Sequence, residues 1–226
     1  MTAQSNGRGE HMFVGHYGPA GALAGARVKL WHAVIAVQFL DILWAPFVLT
    51  GVEGVRIVPN FTEANHLDLY HMPWTHSLPM AAFWSAAAGL AYGVVRKGAG
   101  AAGGLIIAAL VFSHWLTDFI MHKPDLLLWF GGEKVGLGLW DNRPLSFGLE
   151  VALFLGGMAF FLVRCPGRGR QSGLAAGAFL IVGVALQVFG NFGPPPPSVN
   201  AVASSALIAY GLFALLAAGV DATRRR

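Results

Sequence analysis

Six stretches of this chain are each long and apolar enough to cross a lipid bilayer, and that feature leaves few folds open. They run over Lys29–Thr50, Trp74–Val95, Ala101–Met121, Leu145–Val163, Gly173–Phe189 and Ala201–Val220. A hydrocarbon core about 30 Å thick takes about 20 helical residues to span. Charged residues make up only 12% of the chain, against about 25% in soluble domains. The sequence predicts an all-α fold, a polytopic membrane helix bundle of six to seven transmembrane helices. It forms one integral domain over 1–226, with a motif-bearing half at 12–128 and three further spans within 145–220. The seventh candidate is "MFVGHYGPAGALAGA", Met12–Ala26, a short Gly-rich run interrupted by His16 and Pro19. A helix there needs neighbours to be stable. It does not read as a cleaved leader, because Arg8 is offset by Glu10 and no basic segment precedes it.

The loops set an orientation. If the spans alternate, Arg27, Lys29, Arg96, Lys97, Arg164, Arg168, Arg170 and Arg224–Arg226 fall on one side. The other side mixes Arg56, Lys123, Lys134 and Arg143 with six acids and many aromatic residues. The basic side is expected in the cytoplasm, with the C-terminus. The net charge of +4 is spread thinly between apolar runs, so no nucleic-acid partner is expected; the partners are membrane lipids. Cys165 is the single cysteine, which excludes an internal disulfide. Gly89 with Gly93, and Gly173 with Gly177, read as close helix-packing pairs. Pro194–Pro197 reads as a stiff turn between the last two spans.

Against this background, "FSHWLTDFIMH" (Phe112–His122) places His114, Asp118 and His122 at successive i, i+4 positions on one helical face. An aspartate at a helix centre costs about 2.5–3.5 kcal/mol to insert, so such residues read as functional by default. Asp41 lies 12 residues into its span, roughly 18 Å at 1.5 Å per residue. His16 precedes the turn near Val28 by 12 residues and Asp41 follows it by 13, so a hairpin puts them at one depth. His76 opens its helix from the same side, and His114 and Asp118 lie near that end of theirs. Five groups from four helices are expected at one level: His16, Asp41, His76, His114 and Asp118. Imidazoles and carboxylates without thiolates suit a divalent metal, zinc first and manganese second. His122 is expected at the water surface. Glu150 is expected to face water or favour its helix N-terminus. His32 and His71 read as solvated or hydrogen-bonded groups, and His66 and Asp68 as loop residues of open role.

These motifs resemble a family. "GH" (Gly15-His16), "FLDILW" with Asp41, "WTHSLPM" with Thr75, His76 and Ser77, and "SHWLTDFIMHKPDLLL" with Ser113, His114, Asp118 and Pro124 follow one order. The order is similar to that of the membrane-bound, metal-dependent hydrolases described as LexA-binding and inner-membrane-associated. The likeness covers Met12–Leu128. The second Asp and the His of that family's acidic motif are absent, with Trp44 and Ala45 after Leu43, and no basic residue precedes Thr75. His122, Pro124 and Asp125 resemble a subgroup of small bacterial membrane proteins. The resemblance implies a multi-pass protein of the bacterial inner membrane.

The leading expectation is a membrane-embedded hydrolase whose metal site opens near the outer, periplasmic face and takes a lipid-like or amphiphilic ester or phosphoester. His16, His76 and His114 are the expected imidazole ligands. Asp41 and Asp118 complete the shell or accept a proton from water. Two other readings stay open: a small proton- or ion-coupled transporter using the same His and Asp residues, and a non-catalytic scaffold.

Overall fold

In a computed structural model, residues 13–224 are described. Arg8, Glu10 and Met12, used in reading the N-terminal run, and Arg225 and Arg226, used in the charge argument, lie outside the described residues. The chain is a helical bundle with two small antiparallel hairpins at one end. Its elements are α1 (Tyr17–Leu23), α2 (Leu30–Val37), α3 (Phe39–Leu49), β1 (Gly54–Ile57), β2 (Leu67–His71), α4 (Leu78–Val95), α5 (Gly100–Met121), β3 (Leu126–Leu127), β4 (Lys134–Val135), α6 (Arg143–Arg164), α7 (Gly169–Phe192) and α8 (Val199–Ala222). Helices α4 to α8 are each long and apolar enough to cross a membrane, and α2 with α3 form a sixth if taken as one span bent by 48°. This is a membrane protein by length, composition and surface. Leu90, Leu105, Val163 and Ile181 each expose 70% or more of their area on the bundle exterior, an apolar surface that suits lipid tails.

The seventh candidate does not form a span-length helix among the described residues. The N-terminal run forms a 3-10 turn, Val14–His16, and a helix of seven residues, about 10 Å long and far short of a bilayer. It is buried rather than spanning alone. Gly18 and Gly21 let its backbone lie against that of α6, where a Cβ on Gly18 would come 2.6 Å from the Leu153 carbonyl oxygen. Its first amides are satisfied from two other helices. Val14 N–H donates to Gln187 Oε1 at 2.8 Å, and Gly15 N–H donates to Glu150 Oε2. A Cβ on Gly15 would stand 2.9 Å from the Glu150 Cα, so glycine is required before His16 by close approach.

The pair Gly89 and Gly93 packs as expected: a Cβ on Gly89 would meet the Gly104 carbonyl oxygen of α5 at 2.6 Å. Gly173 and Gly177 do not form the expected helix contact, since nothing lies within 4 Å of a Cβ at either. Helix α5 is the central span and α4 a peripheral one, with 50% and 17% of their apolar windows buried.

The basic end is tied together across the chain. Asp221 of α8 accepts the Leu30 and Trp31 amides at 3.2 and 3.1 Å, placing a carboxylate at the N-terminus of α2. Arg164 Nη1 donates to Ala22 O at 2.9 Å, and Arg224 Nη1 to Cys165 O at 2.6 Å. At the other end the loops interlock: Lys134 Nζ donates to Tyr70 O, Lys123 Nζ to Phe61 O, and Ala64 N–H to Trp140 O. These loops cover the end where the polar residues gather.

Candidate metal centre

The structure brings His16, Asp41, His76, His114 and Asp118 together. Two overlapping groups, His16/His114/Asp118 and Asp41/His76/His114, each present ligand atoms within 4.8 Å of one another. Four of the residues are 2–3% exposed, and Asp41 is partly buried. They come from the turn before α1, from α3, from the loop before α4, and from α5.

The orientation of the imidazoles follows from their outer hydrogen bonds. The Thr75 hydroxyl donates to Glu53 Oε2 at 2.7 Å, so it can only accept from the Nδ1–H of His76, also at 2.7 Å. His114 Nδ1 lies 2.6 Å from the Val37 carbonyl oxygen and must donate to it. In both rings the proton is held on Nδ1, and the Nε2 lone pair faces inward, the arrangement found behind histidines that bind metals. Those two Nε2 atoms are 3.3 Å apart. Two lone pairs at that separation repel unless a metal ion or a proton lies between them.

Two carboxylate oxygens complete the geometry. Asp41 Oδ1 is 3.3 Å from His76 Nε2 and 3.6 Å from His114 Nε2. Asp118 Oδ2 is 3.6 Å from His76 Nε2 and 3.3 Å from His114 Nε2. A tetrahedral ion with bonds of 2.0–2.1 Å has ligand atoms about 3.3–3.4 Å apart, so these five separations have the size such an ion needs. Asp118 Oδ2 is buried and has no hydrogen-bond partner, as expected of an atom whose partner is a cation. The residues fit a divalent metal ion, and their two negative charges would be balanced by it.

Each carboxylate is held by its other oxygen. Tyr210 Oη donates to Asp41 Oδ2 at 2.7 Å. His16 Nε2 lies 2.9 Å from Asp118 Oδ1, the length of a charge-assisted hydrogen bond. His122 Nε2 approaches the same oxygen at 3.3 Å and its Nδ1 lies 2.9 Å from Asp125 Oδ1. The expectation that His122 lies at the water surface is corrected: it is 4% exposed and packs against Trp140, with ring centroids 4.2 Å apart. Burial opposes its charge, but the Asp125 and Asp118 carboxylates prevail and raise its pKa to about 10. Glu150 is likewise corrected. It faces Gly15 rather than water and is 1% exposed.

The remaining polar candidates lie outside the cluster. His32 Nδ1 is 2.8 Å from Tyr92 Oη. His66 Nδ1 accepts Asn60 N–H at 2.8 Å, and burial followed by the Arg143 charge lowers its pKa. Asp68 pairs with Arg56 at 3.0 Å, and His71 is exposed. Three contributors went unrecognised in the sequence: Glu53, Tyr210 and the Val37 carbonyl. A lone Tyr at the depth of Asp41 was the available signal for Tyr210. Glu53 resembles any loop acid, and a carbonyl leaves no trace in sequence.

A cleft reaches the cluster. His16, Asp41, His76, Asp118 and His122 form its polar side, and Phe13, Trp44, Leu69, Met72, Trp140 and Val202 its apolar walls. Its cavity volume is about 50 Å³, room for a few waters or one small polar group. Fold and site together define a helical membrane protein with a buried His/Asp cluster able to hold a metal ion. No family model, no curated protein and no solved structure matches this chain.

Thr75→Val keeps the shape of Thr75 but removes the hydroxyl that fixes His76. If the cluster holds a metal ion, the affinity for it, measured by chelator competition, is expected to fall about 10–100-fold, with little change in secondary structure by circular dichroism.

Proposed function

We propose that this protein is a membrane-embedded, metal-dependent hydrolase. Its site lies near the outer, periplasmic face of a bacterial inner membrane, and its substrate is a lipid-like or amphiphilic ester or phosphoester. The observation that carries the reading is the set of four inward ligand atoms: two Nε2 lone pairs, Asp41 Oδ1 and the unpartnered Asp118 Oδ2. The motif resemblance to LexA-binding, inner-membrane-associated hydrolases supports the same class. The positive-inside rule supports the orientation, with the C-terminus cytoplasmic and six spans, counting the bent α2–α3 pair as one.

Zinc is the first choice, because imidazole and carboxylate ligands at this spacing suit it; manganese is the second. A bound cation of this kind supplies Lewis acidity and lowers the pKa of water toward about 7. The chain supplies the rest. His76, His114 and Asp118 would hold the ion and leave a fourth position for water beside Asp41 Oδ1, and His16 steadies Asp118 from its far oxygen. Tyr210 fixes Asp41, the more exposed of the two acids, in position to accept a proton from an attacking water. Apolar cleft walls keep bulk water from competing and suit an acyl or alkyl neighbour of the reacting group.

The polar cluster is confined to one end of the bundle. Toward the basic end, the buried residues of α2 and α5 include Leu30, Ala33, Val34, Ile107, Leu110 and Val111; these are apolar and offer no relay for a transported ion, and the half-buried His32 pairs with Tyr92 apart from the cluster. The test is elemental analysis of detergent-purified protein with hydrolysis assays on a p-nitrophenyl ester and a p-nitrophenyl phosphodiester. About one metal per chain and chelator-sensitive turnover are expected, with both lost in His114→Ala. Metal-free protein, or turnover unchanged in His114→Ala, overturns the reading.

A further inference from the structure

Seven buried side-chain atoms among the described residues have no hydrogen-bond partner, and five belong to residues lining the cleft at the cluster: Gln38 Oε1, Trp44 Nε1, Asn65 Nδ2, Asp118 Oδ2 and Trp140 Nε1. The residues are 1–5% exposed. A buried polar group without a partner costs about 1–3 kcal/mol, so unsatisfied groups gathered around a single cavity call for a ligand rather than for separate local accidents.

Their chemistry is biased. Asp118 Oδ2 belongs to the cation site. Of the other four, three are N–H donors: the indoles of Trp44 and Trp140, which can only donate, and the amide of Asn65. The Asn65 orientation is fixed, because its Oδ1 accepts Leu67 N–H at 3.0 Å and leaves Nδ2 as the unused end. The three donors come from α3, from the loop between β1 and β2, and from the 3-10 turn before α6. The Trp140 indole is also held in place. Trp140 lies between Phe13 at 4.5 Å and His122 at 4.2 Å. No Lys or Arg lines the cleft.

We propose that Trp44, Asn65 and Trp140 form an oxyanion-binding subsite that selects a phosphoryl group, so that the substrate of the metal site is a phosphoester rather than a carboxylic ester. This rests on the hydrolase reading above and narrows its substrate. A phosphoryl group presents several non-bridging oxygens, enough for the cation and for more than one N–H donor. A carboxylic ester presents a single carbonyl oxygen and leaves most of the donors unsatisfied. The cavity, about 50 Å³, has space for about four water-sized groups, the scale of a phosphoryl head whose apolar remainder extends along the cleft walls.

The test measures binding by calorimetry to zinc-loaded protein in detergent, with inorganic phosphate, dihexanoyl phosphatidate and acetate as probes. At least one phosphate probe is expected to bind ten times or more tightly than acetate. Tighter binding of phosphatidate than of inorganic phosphate assigns the source to a lipid. Trp140→Phe removes one donor and is expected to weaken the phosphate probe about tenfold with zinc content unchanged; Asn65→Asp removes a donor and adds a negative charge, and is expected to weaken it further. Trp44→Phe serves as a second indole variant should Trp140→Phe fail to fold. Acetate binding as tightly as both phosphate probes in the wild type, or phosphate binding unchanged in folded variants, overturns the subsite. Failure of the metal reading shows separately, as absent zinc. In that case the same probes on metal-free protein still decide the donors' role.

Discussion

Zinc added to chelator-stripped protein is expected to raise its unfolding midpoint, and Asp118→Asn to abolish that rise. A ligand that binds only the folded state at 100 times its dissociation constant stabilises by about 2.7 kcal/mol. Asp118 has the largest share in the cluster, with one oxygen toward His76 and His114 and the other toward His16 and His122. Removing one charge from a buried, paired group costs about 3–5 kcal/mol, equivalent to a loss of affinity of roughly a thousandfold. Zinc at the former saturating level then stabilises the variant by less than about 0.1 kcal/mol. A scaffold whose imidazoles and acids merely lock helices together behaves differently. Its wild type has no zinc dependence, and Asp118→Asn lowers the midpoint whether or not zinc is present, because His16 and His122 lose their shared partner. Midpoints of both proteins with and without zinc separate the two.

What the sequence made legible was depth, and what it hid was lateral arrangement. Span boundaries and a fixed helical rise put His16, Asp41, His76, His114 and Asp118 at one level, and the structure brings those five residues together. Which groups stand behind them depends on which helices are neighbours, and apolar periodicity does not encode that. Tyr210 reaches Asp41 only because α8 lies beside α3. Glu150 meets Gly15 rather than water only because α6 lies beside the N-terminal turn. The break between α2 and α3 was equally hidden, since it falls at Gln38, neither a glycine nor a proline. Yet at that break the Val37 carbonyl turns to His114 Nδ1. Interrupted spans of this kind supply backbone groups to sites in membranes, where irregular backbone survives only if the protein satisfies it. The hairpins raised a different difficulty. Glu53 sits in a polar loop and reads as solvated, but it is 3% exposed and accepts the Trp74 and Thr75 amides at 2.8 and 2.9 Å.

The glycines show the same limit and lead to the second large effect. Gly157→Ala is expected to destabilise the protein by about 1–3 kcal/mol, while Gly156→Ala one position earlier is neutral or stabilising by up to about 1 kcal/mol. Both lie inside α6, where alanine is the better helix former by about that amount, so propensity alone predicts the same sign for both. Packing separates them. Nothing lies within 4 Å of a Cβ at Gly156, whereas one at Gly157 would stand 2.7 Å from the Gly18 carbonyl carbon and 2.8 Å from its Cα. The obstacle is backbone, which has no rotamer to change, and a Cβ on Gly21 would likewise meet Met158 N at 2.8 Å from the other side of the contact. Relief therefore requires α1 to move away from α6. Because His16 directly precedes α1 and grips Asp118 Oδ1, that movement loosens the cluster as well. Zinc affinity should fall together with stability in Gly157→Ala and stay unchanged in Gly156→Ala. Unfolding curves and chelator competition on the two variants measure this. Equal stability of the pair would mean that α1 does not lie against α6 as described, and a lost midpoint with intact zinc affinity would mean that His16 does not steady Asp118.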